Sequence, residues 1–297
     1  MSEQRYLGID IGGTSAKYAL VAANGEIGEK ASFPTGTSCT LEEFLAQLDS
    51  VIDRVRSNGI TGVGISSLGI VDGASGRILG GVENMPYLKG LSLVQYLEKR
   101  HSGLRVTLCN DARAAALGER WKGCAKEYRS FVCLVLGTGL GGAIVLNGNV
   151  WEGAHFRAGE LGYLDYQNEE TYLEKSVSTV AVTAQAGTAL GTPIDGFAFF
   201  ERAAEGDVVC ATLLDKWLNR LAQVSASLIV TLDVEAIVLG GGVSAEREAI
   251  LPRLREYTDR YLPMEMRGQT AIEAARCAND ANLLGAVACL IEAIKNT

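Results

Sequence analysis

The chain begins with apolar runs separated by turns rich in glycine. Residues 6–20, YLGIDIGGTSAKYAL, place Gly12-Gly13 between two apolar runs, and Asn24-Gly25, a pair typical of tight hairpins, follows. Short apolar runs bounded by such turns indicate strands rather than a helix. A Walker loop needs Gly-Lys-Ser/Thr, and a dinucleotide fingerprint needs a helix directly after its glycines. The pattern matches neither and predicts a β-meander with a glycine turn.

The same arrangement recurs about 125 residues further along the chain. Residues 131–151, FVCLVLGTGLGGAIVLNGNVW, contain an apolar run, the turn Gly137-Thr138-Gly139, a second apolar run and Asn147-Gly148. Internal repetition indicates structural units of common design. The sequence therefore predicts a duplicated core in which each half begins with a meander of this kind.

Strands alternate with helices between and after the meanders. Residues 40–59 carry apolar side chains at helical spacing, with Thr40 as N-cap and Glu43 placed to complete a capping box. Alternation of this type predicts α/β layers with ligands at the strand ends. The other predicted elements are strands at 60–67, 104–111 and 235–242, and helices at 112–123, around 197–231 (two helices), 244–260 and 281–295.

The composition is that of an ordinary globular protein. The 297 residues are 47% apolar and 21% charged, and this length suits two lobes. A net charge of −8 disfavours nucleic-acid partners. The first residues lack a signal-peptide core, and the longest apolar stretch, 131–146, is interrupted by glycines, so no membrane association is expected. Seven scattered cysteines without a Cys-x-x-Cys pair favour reduced thiols and a cytoplasmic location.

The paired glycine turns suggest how an acidic chain could hold phosphate. Backbone N–H groups in such bends form anion-binding nests, and glycine lets a phosphate approach closely. Without a basic patch, the phosphate must be held by these amides and by a metal ion. Residues 10–17 are therefore predicted to hold phosphate, the alternative being that both bends are ordinary hairpin turns.

Five motifs together resemble the ROK sugar kinases, relatives of heat-shock ATPases and actin. They are DIGGTSAK (10–17), NDARAAALGE (110–119), GTGLGG (137–142), GxxxxAGELGY (153–163) and IVLGGGVS (237–244). The resemblance covers essentially the whole chain. It implies a two-lobed, actin-like α/β ATPase fold, with an N-terminal lobe of 1–115, a C-terminal helix 281–297 that packs back on it, and a larger lobe of 116–280.

The resemblance also implies an activity. Members of this family transfer phosphate from ATP to a hexose hydroxyl, usually the 6-OH, in a cleft between the lobes. Glucokinases, β-glucoside kinases and N-acetylmannosamine kinases are the relatives considered. The expected partners are therefore a small sugar and ATP with Mg²⁺, and the expected assembly is a homo-oligomer, a dimer. The alternative is a sugar-binding regulatory protein of the same family without significant kinase activity.

Phosphoryl transfer to a sugar needs a carboxylate near the accepting hydroxyl. The resemblance makes Asp111 that base, although Asn-Asp before a helix is also a good N-cap. Sugar binding and proton acceptance can be divided between the two neighbours, with Asn110 holding the sugar and Asp111 accepting the proton. Asp10, otherwise a plain turn residue, becomes the partner, through water, of the magnesium ion that ATP carries.

The remaining site residues are carried over from the same motifs. For Glu174 the alternative is a solvated charge on a helix face. The residues expected to bind ATP and its phosphates are Asp10, Gly12, Gly13, Thr14, Lys17, Gly137, Thr138, Gly139, Gly240, Gly241 and Gly242. The residues expected to bind the sugar are Asn84, Asn110, Asp111, Glu160, Tyr163 and Glu174.

The chain departs from the family at its zinc motif. Many relatives bind structural zinc with one histidine and three cysteines, but here Tyr163 stands at the histidine position and residues 159–178 contain no cysteine. No structural zinc is therefore predicted. Packing of Tyr163, Leu164, Tyr166 and Tyr172 is expected to hold this loop instead. Because the missing histidine usually contacts the sugar, a preference for glucose does not carry over.

Overall fold

The computed structural model describes residues 4–165, 167–168 and 170–296. Contacts divide the chain into two compact units, Met1–Gly123 with Asn279–Thr297, and Cys124–Ala278. The boundary predicted from the sequence, between residues 115 and 116, lies within a helix that spans Asp111–Lys122. The division into compact units falls after this helix, which stays whole in the first unit.

The elements are numbered in chain order. The strands are β1 (Arg5–Ile11), β2 (Ser15–Ala22), β3 (Ala31–Pro34), β4 (Gly62–Ser67), β5 (Ile70–Asp72), β6 (Arg77–Gly80), β7 (Arg105–Asn110), β8 (Phe131–Leu136), β9 (Leu140–Leu146), β10 (Asn149–Val150), β11 (Ala236–Gly241) and β12 (Ala271–Ala274). The α-helices are α1 (Leu41–Arg56), α2 (Leu93–Arg100), α3 (Asp111–Lys122), α4 (Glu174–Val177), α5 (Thr179–Leu190), α6 (Gly196–Ala204), α7 (Val208–Leu232), α8 (Arg247–Arg260) and α9 (Ala281–Lys295).

The first unit is built on a five-stranded sheet with the order β3-β2-β1-β4-β7. Strand β1 is antiparallel to β2 and parallel to β4, and β4 is parallel to β7. Leu7, Ile9 and Ile65 are fully buried in it, as is Phe44 of α1, so apolar side chains of the strands and of this helix share one core. The capping box predicted at Thr40 and Glu43 is confirmed.

The second unit repeats this plan. Its sheet has the order β10-β9-β8-β11-β12, in which β8 is antiparallel to β9 and parallel to β11, and β11 is parallel to β12. Strand for strand, order and direction match those of the first sheet. The predicted duplicated core is confirmed, because two sheets of the same topology each begin with a glycine-turn meander.

Helix α9 packs very closely on α3 in the first unit. A Cβ atom added to Gly285 of α9 would overlap the carbonyl of Ala114, and one added to Gly118 of α3 would overlap the carbonyl of Ala281. Only glycine permits two helix backbones to approach in this way. The helix that begins at Asp111 is therefore held by a contact that tolerates no larger residue.

Most predicted elements are confirmed, with differences where periodicity was weak. The two helices predicted around 197–231 are the short α6 and the long α7. Helix α8 is preceded by a 3-10 turn at Gly242–Glu246. Elements that were not predicted include α2, α5 and β12. Among the helices that the structure describes, none is long and apolar enough to cross a membrane.

Candidate active site

The first glycine turn connects β1 to β2 and is fixed by neutral groups. The N–H of Gly12 donates to the carbonyl of Ser15 at 3.1 Å. Thr35, which follows β3, donates its N–H to the carbonyl of Thr14 at 3.0 Å and its hydroxyl to the carbonyl of Gly12 at 2.7 Å. Within the described part of the chain, the N–H groups of Gly13 and Thr14 have no acceptor. Two amides in a fixed bend suit an anion.

Asp10 lies at the carboxyl end of β1, next to this turn. Its Oδ1 accepts hydrogen bonds from the hydroxyl of Ser66 at 2.9 Å and from the side-chain amide of Asn282 at 3.0 Å. Its Oδ2 has no hydrogen-bond partner among the described residues. Lys17 stands opposite Asp10 in the β1–β2 register and is exposed. The carboxylate is thus oriented through one oxygen while the second can face a hydrated cation.

Asn110 and Asp111 join β7 to α3 and have separate roles in the fold. Asn110 is the N-cap, because its Oδ1 accepts from the N–H of Arg113 at 3.2 Å. Its amide nitrogen donates to the carbonyl of Gly69 at 3.0 Å and to Oδ1 of Asp111 at 2.9 Å. The same oxygen of Asp111 accepts from the N–H of Ala112 at 2.8 Å. Capping therefore falls to Asn110, and the Asp111 carboxylate is oriented by its two neighbours.

The parallel strands of the first unit bring these residues to one edge of the sheet. Asp10 pairs in register with Ser66, and Asn110 pairs with Ser67. The carboxyl ends of β1, β4 and β7 therefore lie side by side, where α/β proteins place their ligands. Asn84 joins them, since a Cβ added to Gly13 would lie 3.4 Å from its Nδ2. All predicted site residues of this unit are at or beside this edge.

Cys109 directly precedes this edge but is not a candidate nucleophile. It is buried on β7, and its Sγ lies 3.6 Å from the carbonyl of Ile65. A hydrogen bond with Cys289, together with burial, raises the pKa of the Cys109 thiol well above its usual range. Because only the thiolate is nucleophilic, this thiol is inert at neutral pH.

The second glycine turn connects β8 to β9 and is held from outside its sheet. Within the turn, the N–H of Gly137 donates to the carbonyl of Gly139 at 3.0 Å. The N–H of Leu140 donates to Oε2 of Glu174 at 2.9 Å, and the N–H of Thr179 donates to the carbonyl of Gly137 at 3.0 Å. Thr138, at the tip, is exposed. Glu174 is therefore not a purely solvated helix-face charge.

The glycine run 240–242 ends β11 beside the end of β8. Gly241 pairs with Leu136 and has a φ of +82°, and a Cβ atom there would overlap the carbonyl of Leu136. Glycine is required at this position for both reasons. Gly240 is buried, whereas Gly242 is exposed at the start of a 3-10 turn. The second unit thus also places its predicted phosphate and nucleotide glycines at the carboxyl ends of parallel strands.

A short 3-10 turn spans Leu161–Tyr163, with Glu160 as its N-cap residue and Tyr163 at its end. The N–H of Tyr163 donates to the carbonyl of Glu160 at 3.2 Å. Tyr163 is 61% exposed, and its ring stacks on that of Tyr172, with centroids 5.5 Å apart and planes 20° apart. The ammonium of Lys175 lies 5.2 Å from the centre of the Tyr172 ring. Aromatic packing is thus present in this loop, while Tyr166, which was expected to share in it, lies outside the described residues.

Several residues of the site carried no signal in the sequence. Ser66, Asn282, Thr35 and Thr179 act through hydrogen bonds to residues distant in the chain, and serine, threonine and asparagine occur in every turn. In the regions that the structure describes, no group of three or more His, Cys, Asp or Glu side chains is arranged to hold a metal ion.

Comparison with known proteins gives consistent relatives. The chain is 32% identical to a β-glucoside kinase of Klebsiella pneumoniae over 94% of this chain and 93% of that protein. It is 28% identical to an N-acetylmannosamine kinase of Haemophilus influenzae over 95% and 94% of the two chains. A ROK family glucokinase of Streptomyces griseus, solved in complex with glucose and AMPPNP, superimposes with a TM-score of 0.78 at 28% identity, covering 95% and 97%.

Fold, site and relatives define the class. The duplicated sheets are those of the two-lobed, actin-like ATPase fold, and the class is that of the ATP-dependent carbohydrate kinases. The model of the ROK family matches residues 6–293, nearly the whole chain, and the chain belongs to this family.

Proposed function

We propose that this protein transfers the γ-phosphate of ATP to a hydroxyl of a hexose or hexose derivative, the 6-OH. The observation that carries the proposal is the edge of the first sheet. This edge brings together, at the ends of β1, β4 and β7, the oriented carboxylate of Asp111, the first glycine turn and the carboxylate of Asp10, of which only Oδ1 is hydrogen-bonded among the described residues. Phosphoryl transfer to an alcohol requires a proton acceptor, a cation partner and phosphate-binding amides, which these groups supply.

Asp111 is the proposed general base. One of its oxygens is fixed by the amide of Asn110 and the N–H of Ala112, which sets the direction of the carboxylate. Accepting the proton of the sugar hydroxyl as that oxygen attacks phosphorus is worth a factor of about 10² or more in rate. Asn110 is itself held by the cap bond to Arg113, and we assign it to the sugar as well.

Asp10 is the proposed partner of the metal ion that accompanies ATP. Its Oδ1 is held by Ser66 and Asn282, so Oδ2 is presented in a fixed direction. A lone carboxylate that keeps water around the cation is typical of magnesium bound with phosphates. When bound, the ion neutralises charge on the phosphates. The N–H groups of Gly12 and Gly137 donate within their own turns, so the other amides of turns 12–14 and 137–139 are assigned to phosphate oxygens, with Lys17 as an added charge. Gly240–Gly242 are assigned to the adenosine.

The acceptor is proposed to be a substituted sugar, a β-glucoside or a 2-acetamido hexose. Asn84, Glu160 and Glu174 supply the paired donors and acceptors that ring hydroxyls need. The support for a substituent is Tyr163, whose mostly exposed ring offers an apolar face and one hydroxyl on a long arm. A relative named as a β-glucoside kinase and another named as an N-acetylmannosamine kinase agree with this class.

The test is kcat/KM for glucose, cellobiose, N-acetylglucosamine and N-acetylmannosamine under one set of conditions. A substituted sugar is expected to equal or exceed glucose. If glucose exceeds every substituted sugar by more than about tenfold, roughly 1.4 kcal/mol in transition-state binding, the acceptor assignment is wrong. Tight sugar binding without acceptor-dependent ADP formation would instead favour a regulatory protein.

A further inference from the structure

The segment 174–179 holds the second glycine turn at both of its ends. At one end Glu174 accepts the N–H of Leu140, and at the other Thr179 donates its N–H to Gly137, at 2.9 and 3.0 Å. The segment is itself tied to the start of α5, because the hydroxyl of Ser178 caps that helix by accepting from the N–H of Ala181 at 3.2 Å. The conformation of the turn therefore depends on where this segment lies.

The Glu174 carboxylate also lies against the loop that carries Glu160 and Tyr163. A Cβ added to Gly162 of that loop would lie 3.3 Å from Oε2 of Glu174 and 2.8 Å from the carbonyl of Leu140. On the opposite side, a Cβ added to Gly139 would overlap the same carboxylate oxygen. The carboxylate thus fills the space between the turn and the loop, and glycine on both sides makes this space available.

Among the described residues, only one of the two carboxylate oxygens of Glu174 accepts a hydrogen bond. Oε2 holds the turn, whereas Oε1 has no hydrogen-bond partner within the described part of the chain. The backbone directly before Glu174 is fixed, since the N–H of Leu173 donates to the carbonyl of Leu164 at 2.8 Å. An ionised carboxylate has about four acceptor positions, so one side chain can hold a backbone amide and a ligand hydroxyl together.

We propose that Glu174 is a positioning residue that couples binding of the acceptor sugar to the geometry of the turn 137–139. The inference rests on the proposed function. A sugar hydroxyl that donates to Oε1 fixes the carboxylate, and the carboxylate fixes the Leu140 amide through Oε2. The sugar therefore favours the turn geometry that binds phosphate, and by linkage the nucleotide favours sugar binding by the same factor.

The test is titration calorimetry of a non-hydrolysable ATP analogue with Mg²⁺, with and without saturating acceptor. The proteins are the wild type, Glu174→Ala, Glu174→Gln and the control Glu201→Gln, which alters an exposed acid on α6. In the wild type and the control, sugar strengthens binding of the analogue. In Glu174→Ala the analogue binds about tenfold more weakly without sugar, because a charged hydrogen bond to the turn is lost, and sugar no longer has an effect.

Glu174→Gln separates the two roles of the side chain. Its amide oxygen can still accept from Leu140, so affinity for the analogue without sugar stays within about threefold of wild type while the effect of sugar falls. If Glu174→Ala does not fold, by circular dichroism, this variant decides. Full coupling in a folded Glu174 variant overturns the inference alone. A wild-type protein that binds no adenine nucleotide overturns the proposed function and the inference with it.

Discussion

The two glycine turns have the same place in their sheets but are held by different groups. The first is held by Thr35, a neutral residue just beyond the neighbouring strand β3. The second is held by Glu174 and Thr179, which belong to helices outside the sheet. Duplication therefore preserved the strand order and the bend, whereas the hydrogen bonds that fix the bend differ between the units.

The residues that surround the two turns also differ. Asp10 adjoins the first turn and Asp111 lies at the same edge of the sheet, and both carboxylates are fixed by hydrogen bonds within the first unit. Next to the second turn lies the loop of Glu160 and Tyr163, whose aromatic face is exposed. Under the proposed function the two units take different roles: the first orients the reacting carboxylates through hydrogen bonds, and the second adjusts phosphate binding to the acceptor sugar.

The largest expected effect is on kcat, and it comes from a substitution at the edge of the first sheet. Asp111→Asn keeps the shape of the side chain but removes the proton acceptor, so kcat should fall about 100-fold or more. Binding of nucleotide and sugar should survive. Steady-state kinetics with calorimetry would measure both quantities, and a variant with more than about a tenth of the wild-type kcat would refute the assignment of the base.

The next largest effect is on the stability of the first unit, in which α9 packs on α3. Gly285→Ala would force a Cβ atom against the carbonyl of Ala114 and push α9 from α3. Over-packing of this kind should lower the free energy of unfolding by about 3 kcal/mol. Urea denaturation measures it. The matched control is Gly80→Ala, which meets no atom within 4 Å and should change stability by less than about 0.5 kcal/mol; equal stability of the two variants would contradict the packing argument.

A smaller effect, on the KM for ATP, is expected at Thr35, which holds the first turn. Thr35→Val removes the hydroxyl that donates to Gly12, at a cost of about 1 kcal/mol, and should raise KM for ATP several-fold. Thr35→Ser keeps the hydroxyl and serves as the control. Since the hydrogen bonds of Thr35 go to the first turn, within its own unit, the effect of sugar on nucleotide affinity should persist in both variants. Loss of that effect in Thr35→Val would remove the distinction between the turns.

The smallest effect is expected from chelation of metal. No cysteine lies in residues 159–178, so dialysed protein should contain well under one zinc ion per chain. A chelator should leave Tm unchanged, while turnover should still require magnesium. Elemental analysis and thermal unfolding measure these quantities. Stoichiometric zinc that survives dialysis would show that the tyrosine-containing loop is held by a metal after all.

The strands and turns could be predicted from the sequence because their signals are local. Asn-Gly pairs specify positive φ, as Gly25 and Gly148 show, and apolar runs between such turns have few alternatives to a strand. Helix α5 was missed because its residues, TVAVTAQAGTAL, are small and lack a clear apolar stripe.

The residues that hold the two glycine turns could not be predicted in this way. The side chains of Thr35 and Glu174 each hold a turn through one hydrogen bond, to residues 23 and 34 positions away. Such bonds leave no periodic pattern, since any threonine or glutamate could make them. Asp111 was found through the family motif, while its separation from the capping role of Asn110 became visible only in the hydrogen bonds of the structure.

Transfer of phosphate from ATP to a sugar hydroxyl is the central proposal for this protein, and acceptor-dependent formation of ADP tests it directly. The full chain is incubated with ATP and Mg²⁺, with and without each sugar of the panel, and both ADP and the sugar phosphate are quantified. A sugar kinase is expected to form equal amounts of the two products with at least one sugar, and to form ADP only slowly without sugar. ADP formation that is the same with every sugar and with none would contradict the proposal.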